Sequence, residues 1–276
     1  MARHQLGACC DEAAISIVGL SHRYGNRSIL EGIDLTIAAG RFSVVLGRNG
    51  CGKSTLFRLI AGFEPLASGR VCLFGRPLQS MHVRERADLL GFMAQQHRAV
   101  FPFTVSDVVL TGRAGRVRFS PGEKDRKAVD AALDRIGIAH LALRFFPELS
   151  GGEQQLVMLA RVLAQEPRII LLDEPISHLD LAYQARVMAL LRSLCDDGYT
   201  VVAILHDPNL ATLYGDRLLC LSRGRICADS GESDVLSVET LEEVYGIQLA
   251  PVSFQGRTLV LFDGAVASGS RDCPTQ

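Results

Sequence analysis

Three apolar runs stand out along the chain: Phe42–Leu46, Ile169–Leu172 and Val201–Leu205. Each has the length of a strand, and none alternates strictly with polar positions. That is the pattern of a strand covered on both faces. After the first run the period changes. Leu56, Leu59 and Ile60 fall at helical spacing, and Gly62 reads as the helix stop. Residues 15–75 otherwise read as short strands parted by Gly-rich turns. Residues 105–165 are dominated by apolar positions at helical period, in AVDAALDRIGI and QQLVMLARVLAQ. Residues 168–230 return to alternation: IILLDE, then QARVMALLRSL, then TVVAILH. Strand–helix alternation interrupted by a helical block predicts an α/β core with an inserted helical subdomain. The tail segment SFQGRTLVLFDG predicts a small β element paired onto that core.

Composition narrows the class. The 276 residues are 48% hydrophobic, with 29 basic and 30 acidic side chains and a formal charge of −1. That excludes a basic chain built mainly to coat nucleic acid, and an acidic solvating tail. Mean hydropathy is +0.19, yet no apolar run approaches the roughly 18 residues of a spanning helix. The excess therefore implies buried strands and interfaces. Eight cysteines contain no C-x-x-C pair, and reduced thiols in a cytosolic protein are expected. Residues 1–13 lack an apolar stretch of secretory length and read as a ragged leader.

The strongest chemical signal is GRNGCGKST, Gly47 to Thr55, between a predicted buried strand and a predicted helix. Gly47, Gly50 and Gly52 let backbone N–H groups curl around phosphates, with Asn49 between them. The helix start adds positive partial charge. Lys53 supplies a point charge, and the Ser54 hydroxyl, followed by Thr55, is placed for Mg²⁺. Cys51 reads as a spacer whose thiol the helix start would acidify, so its alkylation is expected to block nucleotide binding. A second signal, ILLDEP, ends a buried strand in Asp173 and Glu174. Carboxylates there face the crevice where nucleotides bind. Asp173 suits the Mg²⁺ shell, usually through water. Glu174 suits a general base acting on water.

A third signal is LSGGEQQ, Leu149 to Gln155, ahead of an amphipathic run. Ser150 with Glu153 fits a capping box. It is also a second anion-binding helix start, suited to the γ-phosphate of an ATP held by another subunit.

Together these motifs resemble the nucleotide-binding subunit of an ABC transporter. GRNGCGKST resembles its Walker A motif, ILLDE its Walker B and LSGGEQQ its signature. SHLD (Ser177–Asp180) resembles the D-loop, and His206 the switch histidine. FMAQQ offers the Q-loop glutamine, with Gln95 in better register than Gln96. Tyr24 resembles the aromatic residue that stacks on adenine. Two positions depart from the common pattern: Glu153 for glutamine, implying altered tuning, and Ile176 for threonine, bearing on D-loop packing.

The resemblance implies a P-loop NTPase: a RecA-like core with an antiparallel β subdomain and an inserted α-helical signature subdomain. Its domain would span 14–262, with core segments 14–96 and 164–230, the helical subdomain at 97–163 and a C-terminal extension at 231–262. Residues 1–13 and 263–276 would be flexible ends. Catalysis would fall to Glu174, His206, Gln95 and Lys53, and Mg²⁺ to Ser54, Gln95 and Asp173. ATP would also meet Ser150, Gly151, Gly152 and Asp180.

Implied partners are a second copy, packed head-to-tail around two ATP molecules, an integral-membrane permease and, indirectly, a substrate-binding protein. No nucleic acid is implied. The place would be the cytoplasmic face of the cell membrane. Phrases such as SHLDLAYQ, TVSDVVLTGR and EEVYGIQLAPV resemble the ATPases of iron-chelate, haem and vitamin B12 importers, and molybdate-type importers share much of this. A non-transport ABC ATPase is a weaker reading: one motif set is present, and Gln95 and Ser150 are only 55 positions apart. Arg113, Arg116, Arg118, Lys124, Arg126 and Lys127 form a basic cluster, read as a solvated helical face or a permease-docking surface aided by Phe101 and Phe103.

Overall fold

The computed structural model describes residues 13–95, 103–117, 120–177, 179–231 and 236–266. Its strands are β1 (Ala13–Tyr24), β2 (Arg27–Ala38), β3 (Phe42–Leu46), β4 (Ser68–Leu73), β5 (Arg76–Pro77) and β6 (Leu90–Met93). They continue as β7 (Ile169–Asp173), β8 (Thr200–Ile204), β9 (Arg217–Ser222), β10 (Arg225–Asp229), β11 (Ile247–Phe254) and β12 (Arg257–Val266). The α-helices are α1 (Lys53–Ile60), α2 (Val83–Leu89), α3 (Val105–Leu110), α4 (Glu123–Ile136), α5 (Gly151–Ala164), α6 (Leu181–Asp196), α7 (Pro208–Tyr214) and α8 (Val238–Tyr245).

The three apolar runs become adjacent strands of a six-stranded sheet, ordered β10-β9-β3-β8-β7-β6 and parallel except at β10. Their residues alternate between two cores. Val44, Ile170, Leu172, Val201 and Ala203 join the core that holds α5 and α6. Val45, Ile169, Leu171, Val202 and Ile204 join the one that holds α1 and the antiparallel sheet β2-β1-β4-β5. A sheet covered on both faces has no polar side to show, which accounts for the unbroken runs.

Parallel pairing also fixes the site. Val45 and Asp173 both pair with Ile204. The chain leaving β3, β7 and β8 at their C-terminal ends therefore delivers the Gly47 loop, Glu174 and His206 to one crevice. Helix α1 ends as expected. Gly62 takes φ +71, and its N–H and that of Phe63 return to the Leu59 and Arg58 carbonyls.

Three expectations are corrected. First, the tail strands do not pair onto the core. β11 and β12 form a sheet of their own. The Asn209 amide on α7 docks it, donating to the Val260 carbonyl at 2.9 Å and accepting its N–H at 2.8 Å. One side chain thus does the work of a strand neighbour. Second, residue 13 and residues 263–266, expected within flexible ends, lie in strands: β1 begins at Ala13, which is buried, and β12 runs to Val266.

Third, the basic cluster divides: Lys124, Arg126 and Lys127 are exposed on α4, as a solvated helical face requires, but Arg113 is not part of such a face. Arg113 is only 6% exposed. It meets Asp125 at 3.1 Å, Glu166 at 2.6 Å and the Ala164 carbonyl at 2.9 Å. Arg116 pairs with Asp88 and Glu166, and Lys127 with Glu123. Arg118 and Phe101 lie outside the described residues. A buried guanidinium needs its partners, and here they join the helical segment to α2 and the α5–β7 link. Arg113→Ala is expected to cost about 3 kcal/mol, the low end for breaking a buried pair because Glu166 is half exposed. Denaturant unfolding checks this.

Candidate active site

The glycine loop closes on itself for steric reasons. Gly47 sits at φ +145, and a Cβ there would lie 2.2 Å from the Leu221 carbonyl oxygen. Gly52 sits at φ +112, where a Cβ would lie 2.8 Å from Leu30 Cδ2. No larger residue fits either place. Gly52 also starts α1, whose first N–H groups no side chain caps. Lys53 is only 5% exposed, and its ammonium donates to the Gly47 and Arg48 carbonyls at 2.7 and 3.0 Å. The loop opens on a cavity of about 700 Å³. Asn49, Gly50, Gly52, Lys53, Ser54 and Thr55 line one side of it, and Gln95, Glu174, Ser177 and His206 the other.

Behind this cavity lies Asp173, 4% exposed. Burial pushes its carboxyl above the ordinary carboxylate range, and the neighbouring Glu174 charge adds to this, against a hydrogen bond with Ser54. Its Oδ1 has no hydrogen-bond partner. A buried, orphaned carboxylate oxygen beside a hydroxyl is a donor set suited to a hard divalent cation.

Glu174 is clamped at both oxygens. Gln95 Nε2 donates to Oε2 at 2.7 Å, and His206 Nε2 lies 2.6 Å from Oε1. The backbone of Glu174 takes φ +55, a strained value for a non-glycine residue. Ser177 holds it there, donating to the Glu174 carbonyl from N (3.2 Å) and Oγ (2.9 Å). The result is a carboxylate that lines the 700 Å³ cavity beside the glycine loop, with two polar groups fixing its orientation.

A family model described as ABC transporter matches residues 30–177, more than half of the chain. The chain belongs to the ABC transporter family. The hemin import ATP-binding protein HmuV of Bradyrhizobium diazoefficiens is 40% identical over 266 residues, covering 94% of this chain and 98% of the relative. The protein of that name from Vibrio cholerae is 41% identical over 231 residues, covering 82% and 88%. A solved inward-facing ABC transporter, described as of metal-chelate type, matches with TM-score 0.79 at 30% identity over 91% of this chain and 96% of that one. A bacterial ABC cassette solved as a dimer matches with TM-score 0.70 at 30% identity, over 78% and 97%. The P-loop NTPase fold expected from the motifs is the fold of these proteins, and as an ABC ATPase the chain binds and hydrolyses ATP. Among the described residues no helix is long and apolar enough to cross a membrane.

The signature residues stand apart from this cavity in the ABC cassette. Ser150, Gly151 and Gly152 do not line it. Ser150 caps α5, accepting the Glu153 N–H, while the Glu153 carboxylate accepts the Ser150 N–H and hydroxyl at 2.8 Å each. These bonds hold the Glu153 carboxyl below the ordinary range. Glu153 thus completes a capping box, as glutamine also could, and adds a charge to it. Asp180 caps α6 through the Tyr183 N–H at 2.9 Å. Ile176, the second departure, is buried in the core. Gly151 borders a smaller cavity of about 180 Å³ that shares Gln95 and Ser177 with the large one.

Tyr24 does not line the large cavity either. Its cross-strand partner Arg27 does, with Ile29. Cys51 corrects the acidified-thiol expectation: burial, the largest cause, pushes it above its usual value despite Lys53. Gln96 lies outside the described residues.

The residues not anticipated as parts of the site are Arg27, Ile29 and Tyr245. Tyr245, on α8, donates to the His206 carbonyl at 3.4 Å. It ties α8 to the loop that carries His206. Its phrase, EEVYGIQLAPV, is visible in the sequence, but nothing local says which loops it reaches.

Proposed function

We propose that this ABC ATPase powers an importer for haem or a closely related iron chelate, acting as a pair of copies beneath a separate permease. The observation that carries the catalytic part is the Glu174 carboxylate held between Gln95 and His206 at the mouth of the phosphate loop. The relatives named for hemin import support the cargo, as does the metal-chelate type of the matched transporter.

In this reading Lys53 gives up its two carbonyls for the β- and γ-phosphates. Glu174 takes a proton from the attacking water, and Gln95 and His206 keep the carboxylate aimed at it. Ser54, Gln95 and Asp173 would hold Mg²⁺, which neutralises phosphate charge when bound. Tyr24 offers its ring to adenine. The N-terminus of α5 in one copy, with Ser150, Gly151 and Gly152, meets the γ-phosphate of ATP on the other, and Asp180 borders that interface. ADP lacks the γ-phosphate, so hydrolysis removes the contacts that favour closure.

The chain would sit peripherally at the cytoplasmic face of the membrane, with a binding protein feeding the permease from the other side and no nucleic acid involved. An apolar patch suits the permease contact. Phe103 and Phe145 are brought together by the Phe146 N–H to Phe103 carbonyl bond, and Leu143, 85% exposed, stands nearby in sequence. The test is ATPase stimulation of the chain reconstituted with its permease and binding protein. Stimulation by haem, above ferric siderophore, cobalamin and molybdate, is expected. Stimulation by molybdate alone would overturn the cargo assignment.

A further inference from the structure

The loop after α1 places one carboxylate at the centre of a cluster that neither the phosphate loop nor the Glu174 clamp uses. Glu64 accepts the Tyr24 hydroxyl at 2.6 Å on either oxygen. Arg58 Nε lies 2.8 Å from it, and His22 Nε2 3.1 Å. His22 is itself buried and packs edge-on against the Tyr24 ring, with centroids 4.8 Å apart at 84°. Arg58 extends the cluster to the cavity wall, reaching the Tyr24 hydroxyl at 3.4 Å and Thr55 Oγ1 at 3.3 Å. The hydroxyl end of Tyr24 is therefore tethered, although the residue is 45% exposed.

From this arrangement we infer that Glu64 is a positioning residue for the nucleotide base: it fixes the Tyr24 ring in place before ATP arrives, and through it sets ATP affinity. The inference rests on Tyr24 being the adenine platform. A free tyrosine on a hairpin end samples several rotamers, and binding a base against it would have to select one. The bond to Glu64, the edge contact with His22 and the link through Arg58 to Thr55 make that selection in advance. Ordering one such side chain corresponds to roughly 2–10-fold in affinity. The effect belongs to the base, so a ligand with phosphates alone should not feel it.

The experiment compares ATP with inorganic tripolyphosphate by calorimetry on the full chain. Glu64→Leu, which leaves no acceptor for the tyrosine hydroxyl, and Tyr24→Phe are each expected to weaken ATP roughly 2–10-fold and to leave tripolyphosphate unchanged. The double variant should be no weaker than either single one, because both cut the same tether. Tyr24→Ala should weaken ATP at least as much, and adding Glu64→Leu to it should change nothing further. Equal weakening of tripolyphosphate in Glu64→Leu would make Glu64 a brace for α1 and overturn the inference. So would an unchanged ATP affinity in Glu64→Leu while Tyr24→Ala weakens it. If Tyr24→Ala leaves ATP relative to tripolyphosphate untouched, the adenine platform itself is wrong, a result distinct from the other two.

Discussion

Glu174→Gln is expected to leave ATP binding intact and to slow turnover by roughly 10²–10⁴-fold, the worth of a positioned general base. The geometry separates the two effects. In the proposed mechanism phosphate contact falls to the glycine loop, Lys53 and Ser54, and the hydrogen bonds of the described residues place none of these on the Glu174 side chain. The carboxylate is held by Gln95 and His206. Glutamine keeps the shape and can still accept from Gln95, but it cannot take a proton from water. ATP then persists at the site, and the closed pair of copies should accumulate. Single-turnover hydrolysis and nucleotide binding, measured on the same preparation, check both halves. A Glu174→Gln chain that hydrolyses ATP at the normal rate would remove Glu174 from the base role.

Lys53→Ala is expected to do the opposite: ATP affinity should fall roughly 10- to 100-fold, the loss of charge-assisted phosphate contacts. The ammonium is buried and, among the described residues, donates to the Gly47 and Arg48 carbonyls. Removing it frees two carbonyls, but Lys53 lines the cavity, so water can enter the space the side chain leaves and the fold should survive. Calorimetric titration with ATP reads the change directly. Unchanged affinity would exclude the phosphate role of Lys53.

Much of this was legible in the sequence because the sheet is buried on both faces. Val44 and Val45 enter different cores, yet both must be apolar, so the strand shows as a run. Strand ends then put Asp173 and the glycine loop together. What stayed hidden depends on contacts between distant segments. Gln95 meets Glu174 across 79 positions. Arg113 reads as a surface charge until Asp125 and Glu166 surround it. The tether of Tyr24 to Glu64 spans 40 positions and leaves no periodic trace. The tail strands looked like additions to the core sheet because strand pattern does not name its partner; Asn209 does. The high hydropathy divides in the same way. Most of it is sheet core, and part lies in exposed residues such as Leu143, Phe103 and Leu181.

The claim on which the rest depends is that the α5 start of one copy completes the ATP site of another. Ser150→Asp, combined with Glu153→Gln, tests it in the Glu174→Gln background. Aspartate caps a helix as well as serine, and glutamine at 153 keeps the capping box without setting a second carboxylate against it, so α5 should keep its start, but the aspartate charge repels a γ-phosphate. Sedimentation with ATP, alongside ATP binding by the monomer, is the measurement. The account predicts that the ATP-dependent dimer is lost while monomer binding is unchanged. A dimer that persists, or a monomer that no longer binds ATP, would contradict it.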